Sequence, residues 1–183
     1  GVWTFTSLDL RAWADSTIRV AFRLRAIDDP GHSTTDVGSG WFVDDIALVT
    51  GAFAYQPFTD FENEMEDWSA QRGTWQIGNP SSGPGAAYTG LSCAATVLAG
   101  NYAPTVDSRL IAPEFTVPPA SSNPRLRFWH WYNFSWTDFG DIQISSDRGT
   151  TWTTIFSNFT WSGSGVWTKP TIDLSAWGDS TVL

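Results

Sequence analysis

Residues Ile18–Ala26 read IRVAFRLRA, with Ile18, Val20, Phe22 and Leu24 on one side of an extended chain and Arg19, Arg23 and Arg25 on the other. A period of two with one apolar row is the signature of a half-buried β-strand, and the arginine row reads most simply as its solvated face. Working outward, Trp41–Val49 (WFVDDIALV) predicts a second strand with an acidic pair in its middle, and Thr74–Ile77 (TWQI) a short one. Leu110–Val117 (LIAPEFTV) predicts a strand interrupted at Pro113, because proline offers no N–H to a ladder. Arg125–Phe134 (RLRFWHWYNF), Asp141–Ser145 (DIQIS) and Thr151–Phe156 (TWTTIF) continue the series. Polar loops such as Asp28–Gly40 and Gly78–Gly85 separate the strands, and no 3.6-residue periodicity is sustained. Many short strands with turn signals between them predict an all-β fold, an antiparallel β-sandwich of jelly-roll type.

The chain also repeats itself. Gly1–Arg19 (GVWTFTSLDLRAWADSTIR) and Gly165–Leu183 (GVWTKPTIDLSAWGDSTVL) agree at eleven of nineteen positions with an offset of 164. Trp3/Trp167, Trp13/Trp177, Asp9/Asp173 and Asp15/Asp179 are among the matches, and Leu8/Ile172 and Ile18/Val182 keep their apolar character. Self-similarity at a fixed spacing marks a tandem repeat. On this reading residues 1–50 are the C-terminal strands of one module, 51–57 a short linker, and 58–183 the N-terminal part of the next. The two duplicated segments then claim the same place in a sandwich, and one module cannot use both.

Composition narrows the class. Charged residues are 16% and aromatics 15% of the chain, with twelve Trp and a net charge of −9. That balance fits an extracellular or cell-surface β protein and disfavours nucleic acid or anionic membranes as partners. Cys93 is the single cysteine, so no internal disulfide is available and a buried small hydrophobe is its plain reading. No apolar run is long enough to span a bilayer.

Two acidic clusters carry the chemistry. Asp60-Phe61-Glu62 lies on the opening strand of the second module and Asp44-Asp45 on the closing strand of the first. First and last strands of a jelly roll commonly lie side by side, and the converging carboxylates would offer the hard oxygen ligands that suit Ca2+. Asp107, in the loop before the Pro113 strand, is a further candidate oxygen. Ser145–Trp152 (SSDRGTTW) fits the Asp-box pattern S-x-D-x-G-x-x-W. There Asp147 ties turn amides, Gly149 allows a positive φ and Trp152 packs beneath, a structural role.

These residues carry a family resemblance. TDFENEMEDW (59–68), the Trp75–Gly78 segment, GNY (100–102), SRLIAP (108–113), LRFWHWY (126–132), the Asp box, IDLSAW (172–177) and GWFVDD (40–45) occur in a characteristic order. Together they resemble the jelly-roll modules, related to MAM domains, of large secreted prokaryotic proteins and of immune inhibitor A-type metallopeptidases. The resemblance implies a cation site formed by the D-F-E of the first strand and the D-D-I of the last, that is by Asp60, Glu62, Asp44 and Asp45. The MAM disulfide framework is missing.

Catalysis has little to work with. His32 and His130 have no zinc-ligand spacing around them, and neither H-E-x-x-H nor G-x-S-x-G occurs, so no enzyme activity is expected. Trp129, Trp131 and Trp136 lie close together and form a candidate carbohydrate platform, against the plainer reading that this row is core. Asn133 and Asn158 open N-x-[ST] sequons, candidate glycosylation sites of an exported protein. The expectation is a calcium-stabilised structural or adhesive repeat whose partners are neighbouring copies or repeats of the same protein. Its fibre form has closing strands of one copy completing the sandwich of the next, which requires residues 20–50 to pack on 58–183 of another copy. The alternative is an accessory carbohydrate-binding module of a secreted hydrolase or peptidase, with glycans as partners.

Overall fold

The computed structural model describes residues 4–26, 38–50, 54–63, 65, 67–122, 124–160 and 163–174 of the 183. Thirteen strands run through the described residues: β1 (Thr4–Asp9), β2 (Ser16–Arg25), β3 (Gly40–Thr50), β4 (Ala54–Thr59), β5 (Ser69–Gln71), β6 (Gln76–Gly78), β7 (Cys93–Ala95), β8 (Asp107–Ile111), β9 (Phe115–Val117), β10 (Arg125–Asn133), β11 (Phe139–Ser145), β12 (Thr153–Thr160) and β13 (Pro170–Asp173). Short 3-10 turns at Arg11–Trp13 and Ala120–Ser122 are the helical elements among them. The fold is all-β, two antiparallel sheets packed as a sandwich.

One sheet runs β1-β13-β10-β3-β7-β6, with β4 also on β3. The other runs β12-β11-β2-β8-β5, with β9 also on β2. The period-two pattern of IRVAFRLRA explains why β2 is central. Its apolar row, Ile18, Val20, Phe22 and Leu24, is buried between the sheets. Its backbone pairs with β11 along one edge and with β8 and β9 along the other. The ladder breaks between Ile111 and Phe115, around Pro113.

Aromatic rings join the layers. Phe22 of β2 meets Phe128 of β10 edge-on at 4.6 Å and Trp41 of β3 at 5.5 Å. A second apolar cluster lies on the far side of the first sheet, where Phe42, Cys93, Ala95, Trp131 and Trp167 pack together. Loop residues cover it: a Cβ at Gly83, φ +61°, would come within 3 Å of both Phe42 and Trp131.

Strands from 1–50 and from 58–183 share both sheets. β2 lies between β11 and β8, and β3 between β10 and β7. The described parts of 20–50, residues 20–26 and 38–50, thus pack on strands of 58–183 within this chain, which takes away the motive for the fibre reading. The segment read as a linker, 51–57, contains the start of β4, which folds back antiparallel on β3 with Val49 opposite Tyr55.

Candidate functional site

The acidic cluster forms where β3 meets β4. The register places Ile46 opposite Thr59, with a bulge between Ile46 and Ala47, so the Asp44-Asp45 pair and the Asp60-Phe61-Glu62 turn fall at one end of the hairpin. Asp45 and Phe61 both take positive φ, 49° and 60°, marking a backbone bent away from the plain ladder on each side. Phe61 is fully buried, which aims its acidic neighbours outward, and the Thr59 hydroxyl accepts from the Phe61 amide at 2.9 Å.

The loop 88–92 closes over these carboxylates with backbone amides. Asp44 Oδ2 accepts from the Tyr88 and Thr89 N–H groups at 2.9 and 3.4 Å, and Asp44 Oδ1 accepts from the Asp45 N–H. Thr89 Oγ1 donates to Asp45 Oδ1 at 2.8 Å. Glu62 Oε1 accepts from the Leu91 and Ser92 amides at 2.9 and 2.8 Å, and Asp60 Oδ1 from the Glu62 amide. Gly90, φ +61°, permits this approach, since a Cβ there would lie 2.3 Å from Glu62 Oε1. Burial, and then the charge of Asp45, pushes the Asp44 carboxyl up to about 8, against the pull of its amide donors. Asp45 is also raised, first by burial and further by Asp60 and Glu62, while Thr89 and Lys169 pull it down. Four predicted ligands therefore share one electrostatic neighbourhood. Among the described residues no three acidic, His or Cys side chains stand ready as a metal cage.

Asp107 does not join them. It lies on β8 in the other sheet, held by Arg23 Nε at 2.8 Å and by Arg72 Nη1 at 2.6 Å. The Arg23 hydrogen bond holds its carboxyl below the usual range. Two arginines of the β2 row are thus tied into ion pairs, Arg23 with Asp107 and Arg19 with Glu114, while Arg25 lies over the Phe139 ring.

The aromatic candidates divide. Trp131 is 7% exposed, packed edge-on against Phe42 at 5.3 Å in the outer cluster, and is core. Trp136 is 61% exposed in the turn before β11. Trp129 is half-buried and stacked on Tyr88 at 3.8 Å and 20°, with Lys169 Nζ 5.0 Å from its ring centre. Tyr88, 37% exposed, is the partner that sequence reasoning missed. It sits in a Gly- and Ser-rich loop, and only the fold brings it to Trp129. Because its amide also holds Asp44, the stacked pair and the acidic cluster adjoin. Asn133 is exposed at the end of β10, whereas the Asn158 side chain and His32 lie outside the described residues.

Several nucleophile and base candidates are spoken for structurally. His130 is buried, Trp41 Nε1 donates to its Nδ1 at 3.0 Å, and burial holds its pKa well below 6.5. Cys93 is buried and its thiol is pushed up by the same cause. In the Asp box, Asp147 Oδ1 accepts from the Thr151 amide and the Ser145 hydroxyl, and Gly149 lies over the Trp152 ring.

The comparisons with known proteins sit beside this geometry. Part of the chain is similar to Bacillopeptidase F of Bacillus subtilis (strain 168). The two are 32% identical over 123 residues, 64% of this chain but 8% of the peptidase. The chain thus spans less than a tenth of the length of that relative. No protein-family profile matches the chain, and no solved structure does. No helix among the described residues is long and apolar enough to cross a membrane, which says nothing of a β-barrel.

Proposed function

We propose that this chain is a non-catalytic accessory β-sandwich module of an exported peptidase or hydrolase. Its similarity to one small share of Bacillopeptidase F carries the reading: the matched part is 8% of a much longer protein, a share of the size a single module would have. The low charge content and the aromatic-rich sandwich support an extracellular setting, and the buried states of His130 and Cys93 support a role other than catalysis. As an expected outcome, the purified chain leaves casein intact and is retained by an insoluble polymer substrate of the host enzyme. Hydrolysis by the chain alone would overturn the reading.

Two finer statements belong to the same proposal. The first is a divalent cation, Ca2+ by ligand chemistry, taken up by Asp44, Asp45, Asp60 and Glu62. What supports it is the placing of four carboxylates at two neighbouring strand ends, beneath a loop whose amides hold Asp44 Oδ2 and Glu62 Oε1 and whose Thr89 hydroxyl holds Asp45 Oδ1. The second is glycan binding at Trp129 stacked with Tyr88, with Trp136 as a separate exposed ring; Trp131 has no part in it. A flat aromatic face with a cation beside it suits a sugar ring, and a polysaccharide pull-down that Trp129→Ala leaves unchanged would sink that site. Adhesion, filament growth and glycosylation at Asn133 or Asn158 have no comparable support.

A further inference from the structure

The arginines of β2 do not stand alone. Arg19, Arg23 and Arg25 alternate with the buried row of that strand, so they lie on the outer side of the second sheet. The register sets Arg23 directly opposite Arg109 of β8 on one side and Asp141 of β11 on the other. Arg72, just past β5, reaches in to Asp107. Half of the ten Lys and Arg of a chain with net charge −9 thus gather on or beside one sheet face. Like charges directly opposite each other destabilise a ladder, so an anion placed between them is favoured.

Asp107 serves two of these cations. Its two oxygens accept from Arg23 Nε and Nη2 at 2.8 and 3.1 Å, a two-pronged fit, and its Oδ2 also accepts from Arg72 Nη1 at 2.6 Å. Arg109 is held differently. Its Nε donates to Gln143 Oε1 at 2.8 Å and its Nη1 to Gln71 Oε1 at 3.1 Å, both neutral acceptors. Its guanidinium carbon lies 5.7 Å from the centre of the Trp152 ring. Gln143 is fixed from beneath. It is buried, and its Nε2 donates at 3.1 Å to Oδ2 of Asp141, a side chain 3% exposed whose Oδ1 has no hydrogen-bond partner. Burial, and then the charge of Arg23, pulls the Arg109 pKa below its ordinary value. Arg109 is therefore a cation aimed by a buried polar chain, with amides rather than a carboxylate for hydrogen-bond partners.

A carboxylate is what such a group lacks, and Asp107 on Arg23 shows that this face accepts one in the geometry arginine favours. We propose that the outer face of the second sheet binds an acidic polysaccharide, a uronate carboxylate seating on Arg109 and Arg72 and neighbouring hydroxyls on the exposed Gln71 and Thr154. The inference rests on the accessory-module reading above, and its site lies on the opposite sheet from Trp129. Side chains already fixed by their own hydrogen bonds lose little freedom when the ligand arrives. The acidity of the rest of the chain repels polyanions, so recognition is confined to this face and weakens with salt.

Affinity electrophoresis of the full chain through polygalacturonate tests this, with the fully methyl-esterified polymer as its uncharged twin. The acid form retards the chain and the ester does not. Arg109→Gln weakens the apparent affinity about tenfold or more. Arg72→Gln weakens it too, and with a side chain 62% exposed that variant keeps the test open should Arg109→Gln fail to fold. Equal retardation by both polymers, or Arg72→Gln and a folded Arg109→Gln binding like the unaltered chain, overturns the proposal. Retardation by double-stranded DNA as strong as by polygalacturonate marks a general polyanion effect and overturns the sugar assignment. No binding to polygalacturonate by a chain that leaves casein intact strikes this site alone, whereas casein hydrolysis strikes the module reading.

Discussion

His130 shows how a polar residue can be core. It sits on the inner face of β10 with Trp41 Nε1 donating to Nδ1, so its other ring nitrogen carries the proton and faces the Thr168 hydroxyl. Burial lowers its folded pKa well below 6.5. The unfolded chain thus binds a proton that the folded one refuses, and stability that is complete above pH 6.5 is lost as the pH falls below it. His130→Phe removes that proton-linked slope, leaving a flatter melting profile between pH 7 and 5. It also strands the Trp41 N–H, at a cost of about 1–3 kcal/mol. The tryptophans give the complementary contrast. Trp131→Ala opens a cavity beside Phe42 and costs about 3–5 kcal/mol in urea unfolding. Trp136→Ala, at an exposed site, changes stability by no more than about 0.5 kcal/mol.

At the scale of elements, the hairpin of β11 and β12 is held by a turn whose chemistry was legible residue by residue. Ser145, Asp147, Gly149 and Trp152 each do what the S-x-D-x-G-x-x-W spacing implies, including φ +79° at Gly149. Hydrogen bonds from Thr151 lower the Asp147 pKa, so its contribution is present above the ordinary carboxylate range and lost as the pH falls through the folded value. Asp147→Ala is expected to lower the melting temperature at pH 7, with the deficit shrinking in acid. The Pro113 interruption was equally legible, since a missing N–H is a local fact. β5 and β7 were not: Ser69–Gln71 and Cys93–Ala95 are three residues each, too short for alternation to show, and exist because β8 and β3 have edges to fill.

For the whole molecule, the seam between β3, β4 and the loop 88–92 is the place where a cation would act on stability. Ca2+ raises the melting temperature and EDTA reverses it, if the four carboxylates hold the ion. Glu62→Gln abolishes most of the difference, and an equal melting temperature with and without EDTA would remove calcium from the account. Gly90→Ala should weaken the same response, because its Cβ would displace the Glu62 carboxylate.

Periodicity, turn chemistry and self-similarity are local properties of a chain, and they were enough for the two-sheet class, the half-buried strand at IRVAFRLRA, the Asp-box hairpin and the duplicated ends. The expectation that opening and closing strands of a jelly roll lie side by side also pointed to Asp44, Asp45, Asp60 and Glu62 as neighbours, and the β3–β4 hairpin is what brings them together. Only the tertiary structure could separate Asp107, committed to Arg23 and Arg72 on the opposite sheet, from that group. It alone could bring Tyr88 onto Trp129, bury Trp131 under a loop, and seat β2 and β3 among the strands that follow them in the chain. Alternation tells which side chains share a face, but a sandwich strand has two faces and two edges. Which face a loop covers and which strand takes an edge depend on contacts between residues far apart in sequence, and those are decided when the whole chain packs.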